Sequence, residues 1–177
     1  MTEKEETQPD WPAVSLAFGP VPAIYVPPSL EQSSVRDQHV SIGGTMPEIP
    51  AGLRYSKDHL WARPGGDAGL VRVGVTDFAQ QSLGDVVDVT LPEPRGTVTA
   101  GEACGDIESV KSLSDLIAPV TGTVRDRNDA LTGAPELVNT DPYGQGWMFE
   151  VETGPATPGQ ELAALMDADA YRALTGA

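Results

Sequence analysis

The chain is short of several residue types, and each shortage excludes a class of protein. Its 177 residues include a single cysteine and only two histidines. One cysteine cannot form an internal disulfide, and the few histidines form no cluster with the spacing of zinc ligands. No run of about 18 apolar residues occurs, so no transmembrane helix is predicted. The sequence therefore predicts neither a disulfide-stabilised domain, nor a metal site, nor a membrane protein.

Basic residues are also scarce, since 11 lysines and arginines stand against 26 aspartates and glutamates, for a formal net charge of −15. Because this charge repels phosphate groups, the composition argues against binding of nucleic acid. Two interpretations of the acidity stay open: docking onto basic surfaces of partners, or a solvated shell that aids solubility. Aromatic residues make up only 6%, whereas 19 glycines and 16 prolines favour short strands and turns over long helices.

Candidate nucleophiles lack the surroundings that catalysis requires. Ser109, Ser112 and Ser114 have no histidine near them in the sequence, and the Gly-x-Ser-x-Gly motif is absent. No phosphate-binding glycine loop occurs either. Cys104 lies in an apolar-leaning stretch and is interpreted as a small core residue rather than a nucleophile. The sequence therefore favours a carrier or binding protein over an enzyme with its own active site.

A change in composition divides the chain near residue 46. Residues 1–46 hold six acidic and two basic residues, are rich in proline and lack periodicity, so we predict a mostly disordered extension. Its acidic start is unlike the basic beginning of a secretory signal. Trp11, Phe18 and Tyr25 lie among the prolines; a docking motif and a dispensable tail are both open interpretations. Residues 47–177 are predicted to form one domain.

The second part of the chain shows the alternation typical of short strands. Strands are predicted over residues 53–55, 60–62, 70–75, 86–91, 101–110, 122–126 and 147–151. Thr76 as N-cap and Gly84 as terminator predict a short helix between them. One helical turn is predicted within 131–137, and two helices over 159–166 and 168–174. The predicted fold is mainly β, a flattened β sandwich or hybrid barrel-sandwich with short helices.

One segment, residues 106–122, is the most informative of the chain. It indicates two short apolar strands joined by a turn, with Ile107 and Leu116 facing the core and Lys111 at the exposed tip. A lysine in a turn is usually only solvated, but the neighbours of this one are unusual. Glu108 lies three residues before it, Asp115 four residues after it, and the sequence Ala-Pro-Val-Thr-Gly follows. A primary amine at a hairpin tip is the arrangement that a carrier protein needs.

Further blocks give the chain a family resemblance over residues 52–175. They lie at residues 76–80, 83–85, 91–92, 101–102, 135–139 and 141–147. The first reads Thr-Asp-Phe-Ala-Gln, the second Leu-Gly-Asp, and the last Asp-Pro-Tyr-Gly-Gln-Gly-Trp. In order and spacing these blocks, together with the lysine segment, closely resemble the H protein of the glycine cleavage system. Biotin carriers and the lipoyl domains of 2-oxoacid dehydrogenases match the residues beside the lysine less well.

The resemblance implies a lipoylated carrier rather than an enzyme. Lys111 would bear lipoate through an amide, and Glu108 and Asp115 would serve local recognition or line the cleft that shelters the arm. The implied partners are glycine decarboxylase (P protein), aminomethyltransferase (T protein), dihydrolipoyl dehydrogenase (L protein) and the lipoyl-attachment enzymes. The resemblance further implies a cytoplasmic protein, and we expect a monomer.

One departure from the family pattern keeps other functions open. The family reads His-Glu-Trp near the start of the domain, whereas this chain reads His59, Leu60 and Trp61. Leu60 cannot hold a cationic group, and Asp58 is the nearest acid that could replace the glutamate. The alternatives are an H-like lipoyl carrier of another pathway, such as sulfur oxidation or lipoyl relay, and an unmodified binding module. His59 is interpreted as a structural hydrogen-bonding residue.

Overall fold

Two antiparallel sheets form the framework of the molecule. The computed structural model describes residues 46–65, 69–154 and 158–177. The strands in these ranges are β1 (Arg54–Tyr55), β2 (Leu60–Pro64), β3 (Leu70–Val75), β4 (Val86–Thr90), β5 (Thr97–Val98), β6 (Ala103–Ser109), β7 (Leu113–Ile117), β8 (Gly122–Arg127) and β9 (Phe149–Glu152). The larger sheet has the order β1-β2-β3-β9-β8-β5, and the smaller one β4-β6-β7. The extension predicted over residues 1–46 lies, apart from Met46, outside the described residues.

Both sheets contribute to one hydrophobic core. In β6 and β7, Ile107 lies opposite Ser114 and Glu108 opposite Leu113, so alternate residues point to opposite faces. Ile107 and Leu116 are fully buried, as predicted, and share a core with residues of the larger sheet such as Phe149. The described strands do not close into a barrel. This arrangement confirms the predicted mainly β, flattened sandwich.

Five short helices lie among the strands of the described part. They are α1 (Asp77–Leu83), α2 (Ala130–Gly133), α3 (Leu137–Thr140), α4 (Pro158–Ala164) and α5 (Ala168–Thr175). The hydroxyl of Thr76 accepts a hydrogen bond from the Ala79 N–H at 3.2 Å, and Gly84 ends α1 at a positive φ of 75°. The helix predicted from these two local signals is therefore confirmed. None of the helices in the described ranges is long and apolar enough to span a membrane.

Two predicted elements differ from the structure for local reasons. The single helical turn expected within 131–137 is two helices, α2 and α3, because Pro135 lacks an N–H and disfavours helical geometry at the residue before it. The last strand begins at Phe149 rather than at residue 147. Its start is delayed because the Trp147 N–H donates to the Gly144 carbonyl at 3.3 Å and so belongs to the preceding turn.

A second, smaller core fixes the C-terminal helix to the first strands. Tyr55 and Tyr171 stack with ring centroids 4.6 Å apart, and both are fully buried. Trp61 lies opposite Gly74, where a Cβ atom would approach the indole ring to 2.7 Å, so glycine leaves room for this side chain. The cluster therefore positions β1 and β2, and none of its members belongs to the β6–β7 hairpin that contains Lys111.

Candidate functional site

The turn that joins β6 to β7 is closed by the side chain of Ser109. Its hydroxyl accepts hydrogen bonds from the Ser112 N–H at 3.1 Å and the Lys111 N–H at 3.3 Å, and donates to the Ser112 carbonyl at 3.1 Å. The Ser109 N–H donates to the same carbonyl at 2.9 Å. Residues 110–112, the lysine turn, therefore form a tight and well-bonded bend.

Lys111 lies in this turn with an exposed side chain. Within the described residues its ammonium group takes part in none of the ion pairs and donates no hydrogen bond. A primary amine that is solvated and not engaged by a carboxylate can be reached by an acylating enzyme. The position fits the covalent attachment of an acyl cofactor.

Gly84 provides open space beside the lysine side chain. A Cβ atom at this residue would lie 3.1 Å from Lys111 Nζ and 3.2 Å from its Cε, closer than ordinary van der Waals contact. The backbone of Gly84, at φ 75° and ψ −156°, also lies in a region that is essentially restricted to glycine. The Leu-Gly-Asp block therefore has a direct structural reason: the backbone at residue 84 requires glycine, and the absence of a Cβ atom there lets the Lys111 side chain lie against it.

The lysine turn is tied to the segment between α1 and β4. The Val110 N–H donates to the Asp85 carbonyl at 3.0 Å, and Ser109 pairs with Val86 across β6 and β4. Asn139, on α3, bonds to the same segment from the other side. Sequence analysis missed Asn139 as a part of this site, since more than twenty residues separate it from Lys111 and no local pattern links the two.

Glu108 and Asp115 lie on the outer face of the smaller sheet. Glu108 is exposed and lies opposite Leu113, whereas Asp115 is half-buried and lies opposite Asp106. Alternation places all four of these residues on the face that points away from Ile107. The structure therefore brings the two predicted acids to one face and adds Asp106, which strand alternation could have identified.

Leu60, the residue that departs from the family pattern, is fully buried in the main core. Asp58 instead lines a cavity of about 320 Å³, together with Ser56, Ala118 and Met166. Asp115 is not among the residues that line this cavity. Of these three residues, only Asp58 therefore lines the cavity.

His59 and Cys104 both have structural surroundings. His59 Nδ1 lies 2.8 Å from the Tyr171 hydroxyl, and burial lowers the pKa of the imidazole despite an opposing contribution from Asp58. Cys104 donates from Sγ to the Leu116 carbonyl at 3.2 Å, and burial raises the pKa of its thiol to about 12. A neutral imidazole and a protonated thiol agree with the predicted structural roles.

Comparisons with known proteins give the family. The model of the family described as glycine cleavage H-protein matches residues 53–176. The glycine cleavage system H protein of Mycolicibacterium vanbaalenii is 54% identical over 128 residues, which cover 72% of this chain and 97% of that protein. The H protein of Micrococcus luteus is 53% identical over 130 residues, covering 73% of this chain and 99% of that protein.

A solved structure agrees with the sequence relatives. The crystal structure of a glycine cleavage system H protein from Mycobacterium marinum superposes with a TM-score of 0.63 at 41% identity. It covers 73% of this chain and all of the other. With the exposed lysine turn, the two-sheet fold and these matches in agreement, the chain belongs to the glycine cleavage H-protein family.

Proposed function

We propose that this chain is the lipoyl carrier of the glycine cleavage system and that Lys111 is its attachment residue. The observation that supports the proposal most is the exposed, unengaged amine of Lys111 in a bonded turn of a family member. In this proposal the chain has no catalytic group of its own. Its residues hold one amine at a fixed place and leave its surroundings open.

When bound, the lipoyl group supplies the dithiolane chemistry by which the aminomethyl group and reducing equivalents pass between enzymes. The residues of the chain determine where the lipoyl group is held. Ser109 closes the turn, Gly84 leaves space for the lysine side chain, and the sheet below keeps the turn at the edge of the molecule. A rigid base confines the flexibility to the lysine and its modification, which suits delivery to several active sites.

Glu108 and Asp115 are proposed to act as recognition acids around the turn. Both lie on the outer face of the smaller sheet, where they are accessible to the attachment enzyme. A carboxylate on this face attracts a basic partner surface and would repel an acidic one. The proposed partners are the P, T and L proteins and the lipoyl-attachment enzymes, with the carrier acting as a cytoplasmic monomer that binds no nucleic acid.

The attachment is tested by intact mass after coexpression with lipoylation enzymes. We expect the mass of one lipoyl group on the wild-type chain and none on Lys111→Arg. Arginine keeps the positive charge and the stem, but its guanidinium is not the primary amine that forms the amide. Thermal unfolding should be unchanged in this variant because the side chain is exposed.

Glycine–bicarbonate exchange with a cognate decarboxylase tests the pathway. The lipoylated chain should support the exchange, and Lys111→Arg should not. Full lipoylation without exchange would contradict the assignment to glycine cleavage and leave an H-like carrier of another pathway. Lipoylation that persists in Lys111→Arg would show that a different residue is the attachment site.

A further inference from the structure

The backbone of residues 84–86, the α1–β4 junction, lies against the lysine turn on one side. Gly84 borders the Lys111 side chain, and the Asp85 carbonyl accepts the hydrogen bond from the Val110 N–H at 3.0 Å. Val86 is paired with Ser109, the residue that closes the turn. The position of the junction therefore determines the position of the turn.

The side chain of Asn139 holds this junction by hydrogen bonds to its backbone. Its Nδ2 donates to the Gly84 carbonyl at 2.9 Å, and its Oδ1 accepts from the Val86 N–H at 2.9 Å. Nδ2 also donates to Gln80 Oε1 at 3.1 Å. Two acceptors and one donor fix the orientation of the amide, because a flipped group would place like partners together. Asn139 thus binds the backbone on both sides of Asp85.

Asn139 and its partner Gln80 are themselves held on ordered elements. Val138, the neighbour of Asn139 on α3, is fully buried in the main core. Gln80 lies on α1 and donates from Nε2 to Asp77 Oδ1 at 2.5 Å. The amide therefore links two helices to the junction, and it does so in the Pro-Glu-Leu-Val-Asn block, to which the carrier function assigns no role.

Asn128 provides a comparison within the same chain. It is buried, and its Nδ2 donates to the carbonyls of Gln145 and Trp147, each at 2.7 Å. These partners belong to the turn before β9 and not to the lysine turn or the junction. The Asn128 side chain thus makes two hydrogen bonds and that of Asn139 three, and only those of Asn139 reach the α1–β4 junction.

We propose that Asn139 is a positioning residue for the lysine turn. By holding Gly84 and Val86 it keeps the Asp85 carbonyl under the Val110 N–H, so that Lys111 is presented to its acylating enzyme in one geometry. The inference rests on the proposed function, in which Lys111 is acylated. In that step lipoate and ATP first give lipoyl-adenylate and pyrophosphate. Nζ then forms an amide with the carboxyl carbon as the C–O bond to AMP breaks, AMP leaves, and the ammonium releases two protons.

Steady-state acylation of the full chain tests the proposal, with lipoate, ATP and a lipoate ligase, followed by intact mass. Without the Asn139 hydrogen bonds to the junction, only a fraction of the molecules would have the lysine turn in place. The KM for the carrier should therefore rise about tenfold while kcat is unchanged. We expect this for Asn139→Ala and for Asn139→Asp, whose carboxylate cannot donate to the Gly84 carbonyl. Assays are run below the thermal transition of every variant.

Hydrogen exchange supplies a readout that does not depend on the ligase. The Val110 amide should exchange about tenfold faster in both Asn139 variants, whereas the amide of buried Val73 should be unaffected. Asn128→Ala is the matched control and should leave KM and Val110 exchange at wild-type values. Gly84→Ala, which disturbs the junction directly, should raise KM as the Asn139 variants do.

The proposal is overturned if the Asn139 variants keep the wild-type KM or the wild-type exchange of Val110. It is equally overturned if Asn128→Ala raises KM and exchange to the same extent, since the effect would then be general destabilisation. A wild-type chain that is not acylated at all would contradict the proposed function instead. In that case the exchange of Val110 still decides whether Asn139 holds the turn.

Discussion

At the scale of single residues, the outer face of the smaller sheet places like charges opposite each other. Asp106 lies directly across from Asp115, and Asp88 from Glu108. None of these four carboxylates takes part in an ion pair within the described residues. Like charges in opposed positions destabilise a sheet. The arrangement therefore weakens the fold.

We expect Asp106→Asn to stabilise the protein, because it removes the repulsion across from Asp115 while the side chain keeps its size. The gain in the free energy of unfolding should be about 0.5 kcal/mol at low ionic strength. It should disappear in about 1 M salt, which screens charges beyond roughly 3 Å. Urea denaturation at the two salt concentrations measures both values.

Glu102→Gln is the matched control for this change. Glu102 is exposed in the turn before β6, and Glu102→Gln makes the net charge less negative by the same amount without removing a cross-strand acid. An equal gain in Glu102→Gln would attribute the effect to net charge rather than to the pair. No gain in Asp106→Asn at low salt would show that the pair does not repel.

At the scale of elements, α5 is bound to the sheet by a polar contact inside the second, smaller core around Tyr55, Trp61 and Tyr171, the aromatic cluster. The Tyr171 hydroxyl lies 2.8 Å from His59 Nδ1 and 2.8 Å from Thr76 Oγ1. His59 has a positive φ of 63°, which is uncommon for a residue other than glycine. Burial lowers the pKa of its imidazole, so the folded protein favours the neutral ring.

This lowered pKa predicts a loss of stability in mild acid. The unfolded chain takes up a proton at His59 near the ordinary pKa of about 6.5, whereas the folded chain does so only at lower pH. The contribution is therefore complete above pH 6.5 and is lost as the pH falls towards the folded pKa. His59→Asn, which tolerates the positive φ, should flatten the dependence between pH 7 and 5.

Urea denaturation across this pH range measures the dependence. His39→Asn is the control, since His39 is the other histidine of the chain and is predicted to lie in the disordered extension. An undiminished slope in His59→Asn would assign the acid sensitivity to other groups. Equal flattening in the two variants would contradict the environment described for His59.

The elements also show what sequence can predict. Helix α1 follows from Thr76 and Gly84 because capping is a local interaction. The hydrogen bonds from Asn139 to Gly84 and Val86 could not be predicted, since they depend on where α3 packs against the α1–β4 junction. Leu60 is similar: the positive φ of His59 interrupts the strand pattern, so alternation alone could not show that residue 60 lies in the core.

At the scale of the whole molecule, separated sequence blocks meet at one end of the sandwich. Residues 76–80, 83–85 and 135–139 all contribute to the surroundings of the lysine turn through Gln80, Gly84 and Asn139. The block at 141–147 contacts the first strands instead, where the Trp61 indole N–H donates to the Pro142 carbonyl at 3.0 Å. Different blocks therefore serve different parts of the fold, since Gln80, Gly84 and Asn139 meet at the α1–β4 junction whereas Pro142 holds Trp61 on β2.

The first described residues are bonded to several parts of the fold. The segment from Glu48 to Pro50 is bonded through Asp77, Tyr143, Arg172 and Tyr55. Ile49 is buried in the aromatic cluster, with 6% of its surface exposed. Met46 is exposed, at 69%. Within the described residues, the first buried side chain is therefore that of Ile49.

Two truncations test the boundary predicted near residue 46. Deletion of residues 1–46 should leave the melting temperature within about 2 °C of the full chain, because composition predicts that they add no packing. Deletion of residues 1–50 should lower it by roughly 5–10 °C, because burial of Ile49 contributes about 1.5–3 kcal/mol. Calorimetry on both chains provides the comparison.

A large fall in the shorter deletion would refute the disordered extension, whereas no fall in the longer one would show that residues 47–50 are dispensable. Because Ile49 packs in the aromatic cluster, which contains no residue of the lysine turn, lipoylation of Lys111 should continue in both chains below their transitions.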